Sequence, residues 1–132
     1  MKIGILKEIE KSEKRVSISP RIAKLLIENG FEVVVEDGAG DSSKFKNAYY
    51  EKIGATIEKR GAVYKHSDVL VKINPFDEDG LKLIHKNHIL ICQLFHKSNP
   101  DIVKEIAAKG ATIFSMDALP RISRAQDMDV LS

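Results

Sequence analysis

Two proline-to-glycine intervals constrain this chain more than anything else in it. Ser19-Pro20 and Asn99-Pro100 each stand at the start of a helix-like run, and Gly30 and Gly110 close those runs ten residues after each proline. Proline suits the first helical position because its missing N–H has no partner there anyway, and a serine before it can cap. Glycine after a helix supplies the left-handed residue at which many helices stop. Each glycine leads into a strand-like run, Phe31 to Glu36 and Ala111 to Ser115. Two βαβ units of similar length give this punctuation as readily as an old duplication does, and the simpler reading is taken.

Other runs fill in the frame. Lys2 to Leu6, Val69 to Ile73 and Ile89 to Phe95 read as strands, and Arg15 to Ile18 as an extension of the first or a partner to it. A short helix is expected over Asn47 to Ile53, followed by Gly54 and a brief extended segment at Thr56-Ile57. Ile22, Leu25 and Leu26 are expected to face the core from the first long helix, and Ile102, Val103 and Ile106 from the second. Short apolar strands alternating with helices imply an α/β fold, with a mostly parallel sheet and helices on both faces. With 132 residues and no linker or low-complexity stretch, residues 1–132 read as one domain with enough chain to bury a core.

Composition excludes several classes of function. A formal net charge of +2 with dispersed lysines and arginines gives no nucleic-acid-binding stripe. No apolar run is long enough to span a bilayer, so direct membrane insertion is not expected. The run from Met1 to Leu6 is too short for the apolar part of a signal peptide, and a single cysteine, Cys92, fits a reducing compartment. The expected location is cytoplasmic.

Four constellations invite a chemical reading. Gly38-Ala39-Gly40 follows a valine-rich strand as a dinucleotide loop would, but Ser43 stands where the third glycine belongs. Glu36 and Asp37 would also repel a pyrophosphate, so a tight turn is the better reading. Cys92 and His96 lie four apart on a strand, roughly 13 Å between Cα atoms, which is too far for a nucleophile and its base. His66, His85, His88 and His96 show no metal-ligand spacing, and no metal site is expected. Lys72 ends a buried strand near the edge where open α/β sheets collect ligands, and Arg15 follows the first strand's loop. Together they offer two cations to a carboxylate or phosphate; alternatively Lys72 reaches solvent and Arg15 pairs with Glu8, Glu10 or Glu13. The last sixteen residues, Asp117 to Ser132, carry Arg121, Arg124, Gln126, Asp127 and Asp129 beside a strand. Ser123 and Gln126 fit a capping box, while Gln126, Asp129 and Ser132 share a helical face able to grip a carboxamide. Spacing alone leaves both open, and the rest of any such site is expected on further polypeptide.

Met1-Lys2-Ile3-Gly4-Ile5, Arg15-Val16 with Ser19-Pro20, Gly38-Ala39-Gly40, Val71-Lys72-Ile73, and Met116-Asp117 with Pro120-Arg121-Ile122-Ser123-Arg124-Ala125-Gln126 resemble one domain. It is the N-terminal domain shared by alanine dehydrogenases and the alpha subunit of proton-translocating NAD(P) transhydrogenase. The likeness runs along the whole chain, and the Pro120–Gln126 run is of the transhydrogenase kind. The resemblance implies a Rossmann/flavodoxin-like three-layer domain. It also implies a subunit that binds NAD(H) and passes hydride to NADP(H) on a partner component, coupled to proton movement through a membrane component.

On that resemblance Arg121, Gln126, Asp129 and Ser132 become nicotinamide contacts: Gln126 and Ser132 to the carboxamide, Arg121 to nearby negative charge, Asp129 orienting Arg121 or Gln126. No catalytic acid or base is implied, because hydride moves directly between cofactors. The family's dinucleotide fingerprint belongs to a following domain, and a returning segment completes the first; neither lies within these residues. The chain alone is therefore expected to be inactive, and its location peripheral to the inner membrane through partner subunits. A homodimer is expected from the family's habit. In the alternative, an alanine or related amino-acid dehydrogenase domain, Arg15 and Lys72 match the residues that bind the amino or keto acid. The catalytic histidine has no secure match, since Phe95 stands nearest and His96 is one residue off. A stand-alone dimerisation module without catalysis is the remaining alternative.

Overall fold

The computed structural model describes residues 1–93 and 100–116. Five helices and six strands alternate in it: β1 (Lys2–Ile5), α1 (Pro20–Glu28), β2 (Glu32–Glu36), α2 (Asn47–Lys52), β3 (Thr56–Glu58), α3 (Arg60–His66), β4 (Val69–Val71), α4 (Glu78–Leu83), β5 (Ile89–Cys92), α5 (Pro100–Ala108) and β6 (Thr112–Ser115). All strand pairings are parallel, in the order β3-β2-β1-β4-β5-β6. Strand order therefore reverses across the sheet between β1 and β4, and the loops after both strands meet at one edge. Such a switch point opens a crevice in the backbone without any special side chain.

The register sorts the side chains between two layers. Ile5, Val33 and Val35 point to the face covered by α1 and α2, where Ala23 and Tyr50 complete a buried cluster. Leu6, Val34, Leu70, Leu90 and Cys92 point to the other face, against Val63 and Tyr64 of α3, Leu81 of α4 and Ile106 of α5. Helices on both faces of an all-parallel sheet are the three-layer α/β arrangement expected from the sequence. On the first face Val71, Ile89 and Ile91 of β4 and β5 are only half-buried, and Phe114 of β6 is 58% exposed.

The proline-glycine frame is present. Pro20 is at the start of α1, the Ser19 hydroxyl accepts from the Ile22 N–H at 3.4 Å, and Gly30 and Gly110 take φ of +93° and +79°. Because the Ser19 bond is long, Ser19→Ala should lower stability by ~0.5–1 kcal/mol, the low end for an N-cap, read from the urea midpoint at unchanged slope. No shift in midpoint would show that the hydroxyl does no capping in solution.

Two expectations fail and two helices are unforeseen. Arg15 to Ile18 pairs with no strand; Val16 and Ile18 lie against the α1–α2 cluster, and the Ser17 hydroxyl donates to the Val71 carbonyl at 3.3 Å. On α1 the inward residue is Ala23 with Leu26 and Ile27 beside it, whereas Ile22 and Leu25 are exposed. Helices α3 and α4 have no counterpart in the sequence reading, being only seven and six residues long. The end of the Ile89–Phe95 run and the Asn99 cap lie outside the described residues.

Candidate functional site

Both loops at the switch point are drawn together by one carboxylate. Glu8, just past the end of β1, is buried and accepts from the Ile73 N–H at 2.7 Å, the Asn74 N–H at 3.0 Å and the Asn74 side-chain amide at 3.3 Å. Its Oε1 also stands 3.6 Å from Lys72 Nζ, with side-chain exposures of 5% for Lys72 and 3% for Glu8. Lys72 thus does not snorkel. Its ammonium donates to the Pro75 carbonyl at 3.1 Å and lies 5.7 Å from the centre of the Phe76 ring. A buried ammonium needs such partners, since an unpaired one would be strongly destabilising.

Arg15 is held by a second carboxylate. Its Nε and Nη2 each donate to Glu13 at 2.9 Å, a two-pronged pair, and its backbone N–H reaches the same group at 3.1 Å. Asn74 adds a fourth donor to Glu13 at 3.0 Å. The Arg15 hydrogen bonds, helped by that of Asn74, hold the Glu13 carboxyl down at about 2 from its ordinary 4.5. Glu13 therefore stays ionised throughout mildly acidic media. Arg15 is raised in turn by the same partner, and its side chain remains 71% exposed.

Arg15 and Lys72 line one groove of about 280 Å³ with Ser17, Ile73, Gln93 and Met116. Lys72 also borders a larger cleft of about 520 Å³, with Ile9, Glu10, Lys11, Asn74 and Asp77. The two cations singled out from the sequence are thus brought to one place, although each already has an internal acid. Glu8 and Asn74 were missed as a pair. Glu8 stands in a run of alternating acids and lysines that reads as solvated surface, and only its position opposite β4 sets it apart.

The glycine loop after β2 is a turn, as its missing third glycine implies. Gly38 takes φ of +78° and donates to the Asn47 side chain at 3.0 Å, and a Cβ on Gly40 would meet the Phe45 carbonyl oxygen at 2.5 Å. The loop's own carbonyls take up its N–H groups: Ala39 donates to Glu36 O, Asp41 to Gly38 O and Ser43 to Gly40 O. None of those three is presented to a phosphate. Glu36, the acid at the end of β2, accepts from the Lys7 N–H at 3.0 Å and from Arg60 at 3.4 Å. Fold order and crevice are those of a dinucleotide-binding domain, but the phosphate-binding turn is absent from the described residues.

Cys92 is buried at 1% exposure within the α3–α5 layer. No group of three metal-ligating side chains occurs among the described residues, and no helix among them is long and apolar enough to cross a membrane. Arg121, Gln126, Asp129 and Ser132, like His96, lie outside the described residues. The last described residue before that tail, Met116, lines the Arg15–Lys72 groove.

These features define a switch-point α/β domain with a charged groove at its carboxyl edge. The chain belongs to the alanine dehydrogenase/PNT, N-terminal domain family, whose pattern matches residues 4–132. It is 32% identical over its whole length to NAD(P) transhydrogenase subunit alpha of Haemophilus influenzae, of which it covers 26%. A crystal structure of transhydrogenase from Sinorhizobium meliloti superposes on 99% of this chain with a TM-score of 0.91 and 35% identity, and 39% of that chain is covered. An L-alanine dehydrogenase structure superposes on 87% with a TM-score of 0.82 and 26% identity, covering 32% of that chain. This chain thus spans between 26% and 39% of these three proteins.

Proposed function

We propose that this domain opens the NAD(H)-binding component of a proton-translocating NAD(P) transhydrogenase, with NADP(H) on a partner component. Likeness to transhydrogenase alpha subunits along the full chain carries the reading, at higher identity than the likeness to the L-alanine dehydrogenase structure. In this proposal Arg121, Gln126, Asp129 and Ser132 hold the nicotinamide end of NAD(H). Gln126 and Ser132 fix the carboxamide, Arg121 meets negative charge, and Asp129 orients its neighbours. Hydride transfer needs donor and acceptor rings held face to face, so such contacts act on geometry and no proton carrier is required. The protein works as a homodimer in the cytoplasm, peripheral to a membrane through partner subunits that move the proton.

The described crevice has no phosphate-binding turn, so the 132-residue chain by itself should bind NADH no tighter than about 1 mM. Calorimetry decides this, and micromolar binding by the chain alone would overturn it. Activity is tested by grafting the domain in place of its counterpart in the Haemophilus influenzae subunit. The graft should support hydride transfer to NADP, and Gln126→Ala in it should slow transfer by about 100-fold, the cost of a misplaced reactant. A graft that binds NADH yet transfers no hydride would sink the proposal.

One observation favours a second reading: Arg15 and Lys72 share a groove. In an alanine or related amino-acid dehydrogenase those two cations would hold the carboxylate of a 2-oxo acid. Pyruvate binding at that groove, with no transfer to NADP, is the outcome that selects it.

A further inference from the structure

We infer that Glu8, acting with Asn74 and Glu13, is the positioning residue of the switch-point groove, fixing Lys72 and Arg15 as one anion-reading pair. The inference rests on the second reading above, in which the groove takes a small carboxylate. An unbroken polar chain runs from one cation to the other. Lys72 Nζ stands 3.6 Å from Glu8, Glu8 accepts from Asn74 at 3.0 and 3.3 Å, Asn74 donates to Glu13 at 3.0 Å, and Glu13 takes Arg15 at 2.9 Å through two nitrogens. Glu8 and Asn74 come from the loops on opposite sides of the switch point. A shift of either loop is therefore transmitted to both cations.

Equal numbers of acids and bases would leave such a groove indifferent to charge if every group were matched. Donors and acceptors are not matched here. A carboxylate offers about four acceptor sites, and Arg has five donors where Lys has three. Glu13 takes donors from Arg15 N, Nε and Nη2 and from Asn74 Nδ2. Glu8 takes hydrogen bonds from Ile73 N, Asn74 N and Asn74 Nδ2, and the Lys72 ammonium at 3.6 Å is an ion-pair partner only. Glu13 is filled, and Glu8, with one site left on Oε2, has a side chain only 3% exposed. Arg15, by contrast, places two of its five guanidinium N–H groups on Glu13, and Lys72 hydrogen-bonds Pro75 with one of its three hydrogens and meets Glu8 as an ion pair at 3.6 Å. What remains on offer in the groove is donors, and donors on cations select an anion. Rigid outer partners are what keep such donors in productive geometry.

Pyruvate is the probe, titrated into the full chain and followed by amide NMR, with pyruvamide as its uncharged counterpart. Wild type should bind pyruvate with shifts at Ser17, Ile73 and Gln93, and Lys72→Gln should abolish them. Glu8→Gln and Asn74→Ala should each weaken pyruvate about tenfold, the lower end of what outer partners contribute at metal sites. Pyruvamide binding should be unchanged, and Glu8→Asp should recover part of the loss. Equal loss for pyruvate and pyruvamide would mean a merely structural role and overturn the inference. So would wild-type affinity in Glu8→Gln or Asn74→Ala while Lys72→Gln loses binding, with the groove reading left standing. No pyruvate shift in wild type, or binding that survives Lys72→Gln, defeats the groove reading itself and this inference with it. If Glu8→Gln does not fold, Asn74→Ala decides, since it breaks the chain of contacts without stranding a charge.

Discussion

Gly4→Ala should destabilise this domain by about 3 kcal/mol, although it adds one methyl group to a strand that any residue can occupy. The reason is the approach of α3 to β1. A Cβ built on Gly4 overlaps Ser67 Oγ and lies 2.9 Å from Val63 Cγ1 and 3.0 Å from Ser67 Cβ. Val63 is fully buried in the α3–α5 layer and Ser67 is 4% exposed, so neither can move outward without opening the core. Forcing a methyl group into a packed interior costs ~1–3 kcal/mol, and here the obstacle includes a Cβ fixed to backbone. For a chain of 132 residues that lowers the thermal midpoint by about 10 °C. The cause can be isolated by a second substitution. Ser67 Oγ is buried with no hydrogen-bond partner among the described residues, so Ser67→Ala alone should change stability little. Combined with Gly4→Ala it should recover at least ~1 kcal/mol, a coupling expected of atoms in direct contact. Equal denaturation midpoints for Gly4→Ala and wild type would show that α3 does not press on β1 as described.

That glycine also marks where sequence reasoning stops. Strand β1 was legible because Ile3 and Ile5 are apolar, but the need for Gly4 comes from an α3 that local pattern does not reveal. Helix α3 has no capping side chain, and α4 carries Gly80 in its middle; six or seven residues give too few turns for a stripe. Both are helical because Val63, Tyr64 and Leu81 are buried against the sheet, a tertiary cause. The reverse error occurred at Arg15 to Ile18. Alternating polar and apolar residues there are real, and Val16 and Ile18 do face the core, but β1 is already paired with β2 on one side and β4 on the other. On α1, Ala23 takes the closest position to the sheet because it is small, which leaves the larger Ile22 and Leu25 outside. Scales that rank side chains by size read that face backwards. At the groove, Arg15 and Lys72 were legible as cations near strand ends. The acid of Arg15 was among those named, since Glu13 is two residues away, but that of Lys72 was not, because pairing Glu8 with Lys72 needs the β1–β4 adjacency that only the sheet order supplies.

His88→Phe should cost about 3 kcal/mol above neutral pH, and that cost should shrink as the solution is acidified. His88 is 1% exposed at the start of β5 and joins three segments. Its Nδ1 accepts from the His85 N–H at 3.1 Å. That assigns the proton to Nε2, which donates to the Tyr64 carbonyl of α3 at 2.6 Å. The His85 ring is stacked on it with centroids 3.6 Å apart, and the Tyr64 ring meets it edge-on at 6.3 Å. Phenylalanine fills the volume but leaves the buried Tyr64 C=O without its partner, at ~1–3 kcal/mol, and strips the part-buried His85 N–H of its acceptor and the His85 ring of its stacked imidazole. Protonating His88 would put a second hydrogen on Nδ1, against the His85 N–H. Burial, and then the neighbouring His85, hold His88 below its ordinary value of 6.5, against the opposing pull of the Tyr64 carbonyl and Asp68. The sign follows from linkage. A histidine depressed in the folded state binds fewer protons there than in the unfolded chain, so its contribution is whole above pH 6.5 and is lost as pH falls from there through the folded value. The difference between wild type and His88→Phe reads the contribution of His88 and of the contacts it makes. Urea denaturation of both from pH 8 to pH 5 provides the measurement. A stability gap that narrows on acidification supports this account, and a gap that stays constant across the range rules out a neutral His88 as the link between α3 and β5.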